Sequence, residues 1–231
     1  MTDTEVPSDP YDEPVRFDCE TESEAGIDAA ASALRAGNLV VLPTDTVYGL
    51  AADAFDPAAV AKLLEAKGRG REMPPPVLIA EPATLDALAA ERPPTWLREL
   101  LDELWPGPLT VVFTAQPSLT WDLGETHGTV AVRVPDHEVA RSVLRVAGPT
   151  AVSSANLSGQ SAATTIDEAQ SMLGESVAVY LDAGPSSGSL PSTILDVTGP
   201  IPRVLRQGAI SLETLHKFNN TIEPFGGVPG A

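Results

Sequence analysis

LVVLPTDTVYGLAADAFDPAAVAKLLEAKGRGR, residues 39–71, sets a pattern that the rest of the chain repeats. Leu39 to Leu42 is a short apolar run halted by Pro43, which suits a buried strand. PTDTVYGLAADAF, Pro43 to Phe55, follows as a polar segment with two threonines, a carboxylate, a tyrosine and a glycine close together. Asp56 can cap a helix, Pro57 suits its first position, and Val60, Leu63 and Leu64 give it an apolar face. Gly68 can end that helix and leave Lys67, Arg69 and Arg71 of KGRGR in the loop beyond. An apolar strand, a polar segment and a helix in that order belong to α/β sheets, which bind ligands at strand ends.

Outward from this stretch the alternation continues. Ile27, Ala30, Ala31 and Leu34 mark a helix that Gly37 can end, and Val77 to Ala80 is a second apolar run. Thr95 can cap a helix with Leu97, Leu100, Leu101 and Leu104 on one side, stopped at Pro106-Gly107. Strands are predicted over residues 109–114 and 129–134, a helix over 136–147 and an extended segment over 150–153. Thr165 and Glu168 have capping-box spacing for a helix reaching Leu173. Residues 177–181, 192–197 and 203–206 read as strands, and Ser211 can cap a last helix. The pattern predicts an α/β fold, a mixed sheet flanked by helices, with no linker rich enough in Gly, Ser or Pro to divide it. A single domain is therefore expected over residues 25–218. Residues 1–24 hold nine acids against the lone base Arg16, with Pro7, Pro10 and Pro14 among them, and are expected to be disordered or loosely packed. The Gly and Pro spacing of residues 219–231 suits a flexible tail.

Composition excludes several classes. The 231 residues carry 14 bases and 32 acids, a formal charge of -18, which argues against a broad nucleic-acid footprint. No apolar run approaches the roughly 20 residues that span a bilayer, and the N-terminus lacks the basic-then-apolar order of a signal peptide. Cys19 stands alone, and His127, His137 and His216 lack zinc spacing, so no disulfide and no protein-held metal site are expected, and the cytoplasm is the expected compartment. Against this acidity, residues 62–71 concentrate four of the 14 bases. Either they complement the negative end of the helix dipole, or they bind phosphate.

The common nucleotide motifs are absent: neither a P-loop nor a dinucleotide-type glycine fingerprint occurs, and Ser153-Ser154 lacks the glycines of a nucleophile elbow. What remains are polar segments at strand ends. They are PTDTVYGLAADAF, SSANLSG at residues 153–159, Ser192-Thr193, and Arg206 in RVLRQG. Alone, each can be a capped turn or a solvated edge charge.

Together and in this order, PTDTVYGL, K-x-R, SSAN, STI and LRQG resemble the YrdC/Sua5 family. The resemblance runs from about Ala25 to Leu215 and includes LWPGPLT and VAVRVP between the motifs; the chain is similar to the single-domain form. It implies a twisted α/β sheet with a positively charged concave face. The implied activity is that of a nucleotidyltransferase, a threonylcarbamoyl-AMP synthase. Such an enzyme uses L-threonine, bicarbonate or CO2, and ATP, releases pyrophosphate, and supplies the threonylcarbamoyl group of a modified adenosine in tRNA. Lys67 and Arg69 are then the catalytic cations, and both bind ATP with Thr129, Ser154, Asn156 and Arg206. Thr46, Arg133 and Ser192 would bind threonine, with the Arg133 fork on its carboxylate. Magnesium would be held mainly by the ATP phosphates and water. A downstream tRNA threonylcarbamoyl transferase is the implied partner, direct tRNA contact stays open, and no membrane is involved.

The chain departs from the family at Gly70, where many relatives have proline, and at Gln207 after Arg206. Met73 stands where relatives often offer Asn or Lys, and Leu78 where archaeal-type members carry histidine, so neither is expected to make a polar contact. The alternative function is an RNA-binding or ribosome-maturation factor on the same fold.

Overall fold

The computed structural model describes residues 13–188 and 190–226. Ten strands form one sheet: β1 (Val15–Asp18), β2 (Val40–Leu42), β3 (Gly49–Asp53), β4 (Val77–Leu78), β5 (Leu109–Thr114), β6 (Thr129–Arg133), β7 (Thr150–Ser154), β8 (Val179–Asp182), β9 (Thr193–Asp196) and β10 (Arg203–Arg206). Their order is β1-β8-β2-β3-β7-β4-β6-β5-β9-β10. Parallel pairs (β1 with β8, β2 with β8, β4 with β6, β5 with β9) mix with antiparallel ones, as the late strands predict. The helices are α1 (Ser23–Arg35), α2 (Pro57–Ala66), α3 (Leu85–Leu88), α4 (Thr95–Leu104), α5 (Glu138–Ala147), α6 (Ile166–Leu173) and α7 (Leu212–His216). None of the described helices is long and apolar enough to cross a membrane.

Strand alternation sends side chains into two cores. Val41, Leu50, Val111, Val132 and Leu195 pack on one face with α2, α4 and α6, through residues such as Leu63, Leu100 and Ala169. Val40, Leu42, Ala51 and Val152 face the other way, against Ala30 and Leu34 of α1 and Val143 and Leu144 of α5. The second core takes no residue from β5, β6 or β9. Over those strands the face that α1 and α5 cover elsewhere is bare, and Thr110, Val112, Ala131, Arg133 and Ile194 form the floor of a cleft there.

Several expectations need correcting. Within the segment expected to be loose through residue 24, residues 13–24 contain β1 and the start of α1. Arg16 secures β1 by reaching Asp182 on β8 and Asp167 on α6, both at 2.6 Å. Residues 1–12 lie outside the described part. The expected flexible tail is also packed over its first residues: Ile222 is buried, and Glu223 accepts from Val204 and donates to Pro202. Residues 227–231 lie outside the described part. GLAAD, read as part of a polar segment, is strand β3, whose alanines are buried between β2 and β7. Burial between two neighbours overrides the weak strand preference of alanine. Thr95 opens α4 without capping it, and α5 begins at Glu138. Asp56, Ser211 and the Thr165–Glu168 capping box hold their helices as the sequence predicts.

Candidate functional site

The cleft has a volume of about 810 Å³. Four strand ends and their loops build it. The β2–β3 loop folds on its own hydroxyls: Thr44 donates to the Val47 carbonyl at 2.6 Å, accepts from the Thr46 amide, and lies 3.0 Å from the Thr46 hydroxyl. Tyr48 is buried and ties this loop to the segment after β8, donating to Gly184 O and accepting from Ala183 N. Gly188 of that segment lies so close that a Cβ there would sit 2.5 Å from Asp45 O, so only glycine fits.

The α2–β4 loop turns at Gly68, whose φ of +60° favours glycine. Arg69 then reaches the Ser153 hydroxyl at 3.0 Å, and its Nε is buried without a partner. On the neighbouring loop Asn156 donates to Leu157 O and Gln160 O, which leaves its Oδ1 buried and unpaired. From the far side Arg206 donates to the Ser192 carbonyl through Nε and Nη2 and to the Ser192 hydroxyl. That hydroxyl lies 2.8 Å from Thr110 Oγ1. Thr129 lines the wall and donates to Thr126 O.

Of the expected site residues, Thr46, Arg69, Thr129, Arg133, Ser154, Asn156, Ser192 and Arg206 all line this one cleft. Lys67 does not. It is 2 % exposed, and its ammonium donates to the carbonyls of Ser154 and Asn156, while its own carbonyl accepts from Ser158 N. It therefore stands behind the wall and holds the SSAN loop, a correction to its expected place among the phosphate cations. Burial pushes its ammonium down to about 8, and the charge of Arg69 pushes the same way. Arg71, the third cation of the loop, leaves the cleft and pairs with Asp122 on the exposed surface. Among the departures, Met73 is exposed, whereas Leu78 is an apolar part of the lining.

Electrostatically the cleft inverts the protein. Arg69, Arg133 and Arg206 are the charged residues lining it, and among the described residues no aspartate or glutamate does. Burial holds all three below the usual arginine range. For Arg206 the positive charges of Arg133 and Arg69 add to this, so the three cations lie close enough to repel. A polyanion in the cleft would relieve that repulsion and occupy the unpaired Arg69 Nε.

Sequence reading passed over Asp45, which pairs with Arg133 in the buried base of the site. It stands in the middle of the TDT motif, and only its neighbour Thr46 was singled out. Thr110 was likewise read as strand alone. No local pattern marks either one, because each acts through a partner more than 80 residues away in sequence.

The chain is similar to known proteins in both sequence and fold. The family model Sua5_yciO_yrdC, described as "Telomere recombination", matches residues 32–208. A Mycobacterium tuberculosis protein of 53 % identity aligns over 86 % of this chain and 92 % of its own length. The threonylcarbamoyl-AMP synthase of Bacillus subtilis is 38 % identical over 80 % of this chain and 54 % of its own length. A solved structure of Pyrococcus abyssi Sua5 complexed with L-threonine superposes with a TM-score of 0.84 at 34 % identity, covering 91 % of this chain and 62 % of that one.

Proposed function

Because this chain belongs to the Sua5/YciO/YrdC family, we propose that its cleft joins threonine, a one-carbon carboxylate and ATP. The chain is a threonylcarbamoyl-AMP synthase, an enzyme of nucleotidyltransferase type that takes L-threonine and ATP. The third substrate is bicarbonate or CO2. The observation that carries the reading is the cluster of three arginines lining a cleft without a carboxylate among the described residues, within a chain of charge -18.

The chemistry needs such a site. Threonine's amine adds to CO2 and gives up a proton to solvent to become a carbamate, and a carbamate oxygen attacks the α-phosphorus as the bond to the bridging oxygen breaks and that oxygen leaves with pyrophosphate. One anion approaches another, so positive charge fixed in advance offsets their repulsion and stabilises the leaving pyrophosphate. Arg69 and Arg206 supply that charge at the phosphates, and Ser154, Asn156 and Thr129 supply hydrogen bonds to the nucleotide. Arg133, with Thr46 and Ser192, receives threonine. Lys67 acts on the phosphates through the Ser154–Asn156 loop that it braces. The work is mainly positioning, with no covalent intermediate on the enzyme.

Magnesium fits as a passenger of the triphosphate. The free oxygen of Asn156 and the Ser154 hydroxyl are neutral donors, as suits an ion whose remaining ligands are phosphate and water. When bound it would offset phosphate charge. The product passes to a transferase that acts on tRNA, and the site of action is the cytoplasm. The RNA-binding alternative has less support, since the chain carries a formal charge of -18 and exposed Arg16, Arg71 and Arg145 are paired with carboxylates.

Pyrophosphate release with each substrate omitted in turn tests the reading. Release should require ATP, threonine and bicarbonate together; release indifferent to threonine, or salt-sensitive RNA binding without turnover, would reject it.

A further inference from the structure

We propose that Asp45 is the positioning residue of the amino-acid subsite, fixing the Arg133 guanidinium so that a single carboxylate can dock on it. This rests on the reading of Arg133 as the threonine anchor. Arg133 has five N–H donors. Nε donates to Gly107 O, Nη1 to Thr46 Oγ1 and Nη2 to Asp45 Oδ1, at 3.0, 3.0 and 2.5 Å. One N–H on each terminal nitrogen remains, which is what one carboxylate takes in a two-point contact. The side chains of Arg133 and Asp45 are 7 % and 12 % exposed, so little solvent is at hand to replace either partner. Asp45 is itself held, since its Oδ1 also accepts from the Asp136 amide at 3.0 Å. The backbone on its other side is pressed by Gly188, and Ser186 donates to Thr46 O. The carboxylate thus belongs to a braced loop and sets the angle of the fork.

Asp45 also fixes the charge of the subsite. Burial pushes the Arg133 guanidinium down, and the Asp45 charge opposes that shift. Paired, the two carry no net charge, which offsets part of the cost of desolvating each in the base of the cleft, while Arg69 and Arg206 keep theirs for phosphates. The subsite therefore selects its ligand by the geometry of two hydrogen bonds more than by net attraction. Because Asp45 touches Arg133 and not the cleft surface, its loss should raise the threonine KM and spare the ATP KM.

The test compares Asp45→Asn with wild type, each assayed for threonine and ATP KM, kcat and thermal midpoint. The expected result is a threonine KM raised about tenfold or more with the ATP KM within about threefold, as for a buried pair deprived of one member. A threonine KM within about twofold of wild type overturns the proposal, as does an equal rise in both constants. A second arm compares Arg133→Met, which strands the Asp45 charge, with the Arg133→Met/Asp45→Asn double variant, which removes both charges. Adding Asp45→Asn there should not lower kcat/KM for threonine further; a further fall of about tenfold would show that Asp45 acts independently of Arg133 and overturn the proposal. If wild type itself proves indifferent to threonine, the functional reading has failed, and that outcome is visible before any variant is made.

Discussion

Arg206 and Arg16 carry the same guanidinium, yet burial pushes the first below the usual arginine range while Asp182 holds the second above it. The contrast extends to their neighbours. In the cleft, Arg69 and Arg206 donate to a serine hydroxyl and a carbonyl, and each is repelled or desolvated by its surroundings. On the outside, Arg16, Arg71, Arg141 and Arg145 end on carboxylates. Arg35 and Arg98, also outside, end on a carbonyl and a hydroxyl, but water solvates them there, whereas in the cleft an anionic ligand would offset the desolvation. Arg133 falls between the groups, lining the cleft like the first and paired like the second, which suits a contact with one carboxylate.

Substitutions that break the comparison should rank accordingly. Arg206→Ala and Arg69→Ala should each lower kcat/KM for ATP on the order of 100- to 1000-fold, with the fold retained by circular dichroism. Lys67→Ala should cost about tenfold or more in pyrophosphate release, because the loop carrying Ser154 and Asn156 loses its brace. Lys67 also sharpens the contrast through pH. Its ammonium titrates near 8 when folded and at the usual 10.5 when unfolded, so the folded state loses its proton first. The charge is present in both states below about 8, and activity that depends on it should decline as pH rises through that value. The stability cost of burying the charge is full below about 8 and fades between there and 10.5. Lys67→Arg should abolish the alkaline limb of the rate profile in whatever activity it keeps. Tyr48→Phe should destabilise the fold by about 1 kcal/mol, measured by urea unfolding, through its lost bonds to Gly184 and Ala183. Arg145→Ala, on the exposed side of the comparison, should leave turnover within about twofold of wild type.

Much of this was legible in the sequence, for physical reasons. Apolar runs closed by proline, caps such as Asp56 and Ser211, and the Thr165–Glu168 box are local signals, and the elements they mark are present. The ordered polar segments identified the cleft, because motifs at strand ends converge when the strands share one sheet. What escaped depends on distant partners. β1 is a short edge strand whose residues stay largely accessible, and it is held through its own Arg16 by carboxylates 151 and 166 residues away. Three of the five residues of β3 are glycine or alanine, which favour strands only when flanked on both sides. The side on which Lys67 emerges could not be read from KGRGR, since it is set by the carbonyls of a loop almost 90 residues away. Asp45 was hidden for the same reason.

The most direct measurement is a crystal structure with a non-hydrolysable ATP analogue and L-threonine. The account predicts the triphosphate within about 3 Å of the guanidiniums of both Arg69 and Arg206, with threonine's carboxylate on the two free N–H groups of Arg133. A triphosphate bound elsewhere, or a cleft in which those two arginines keep only their serine contacts at saturating analogue, would contradict it.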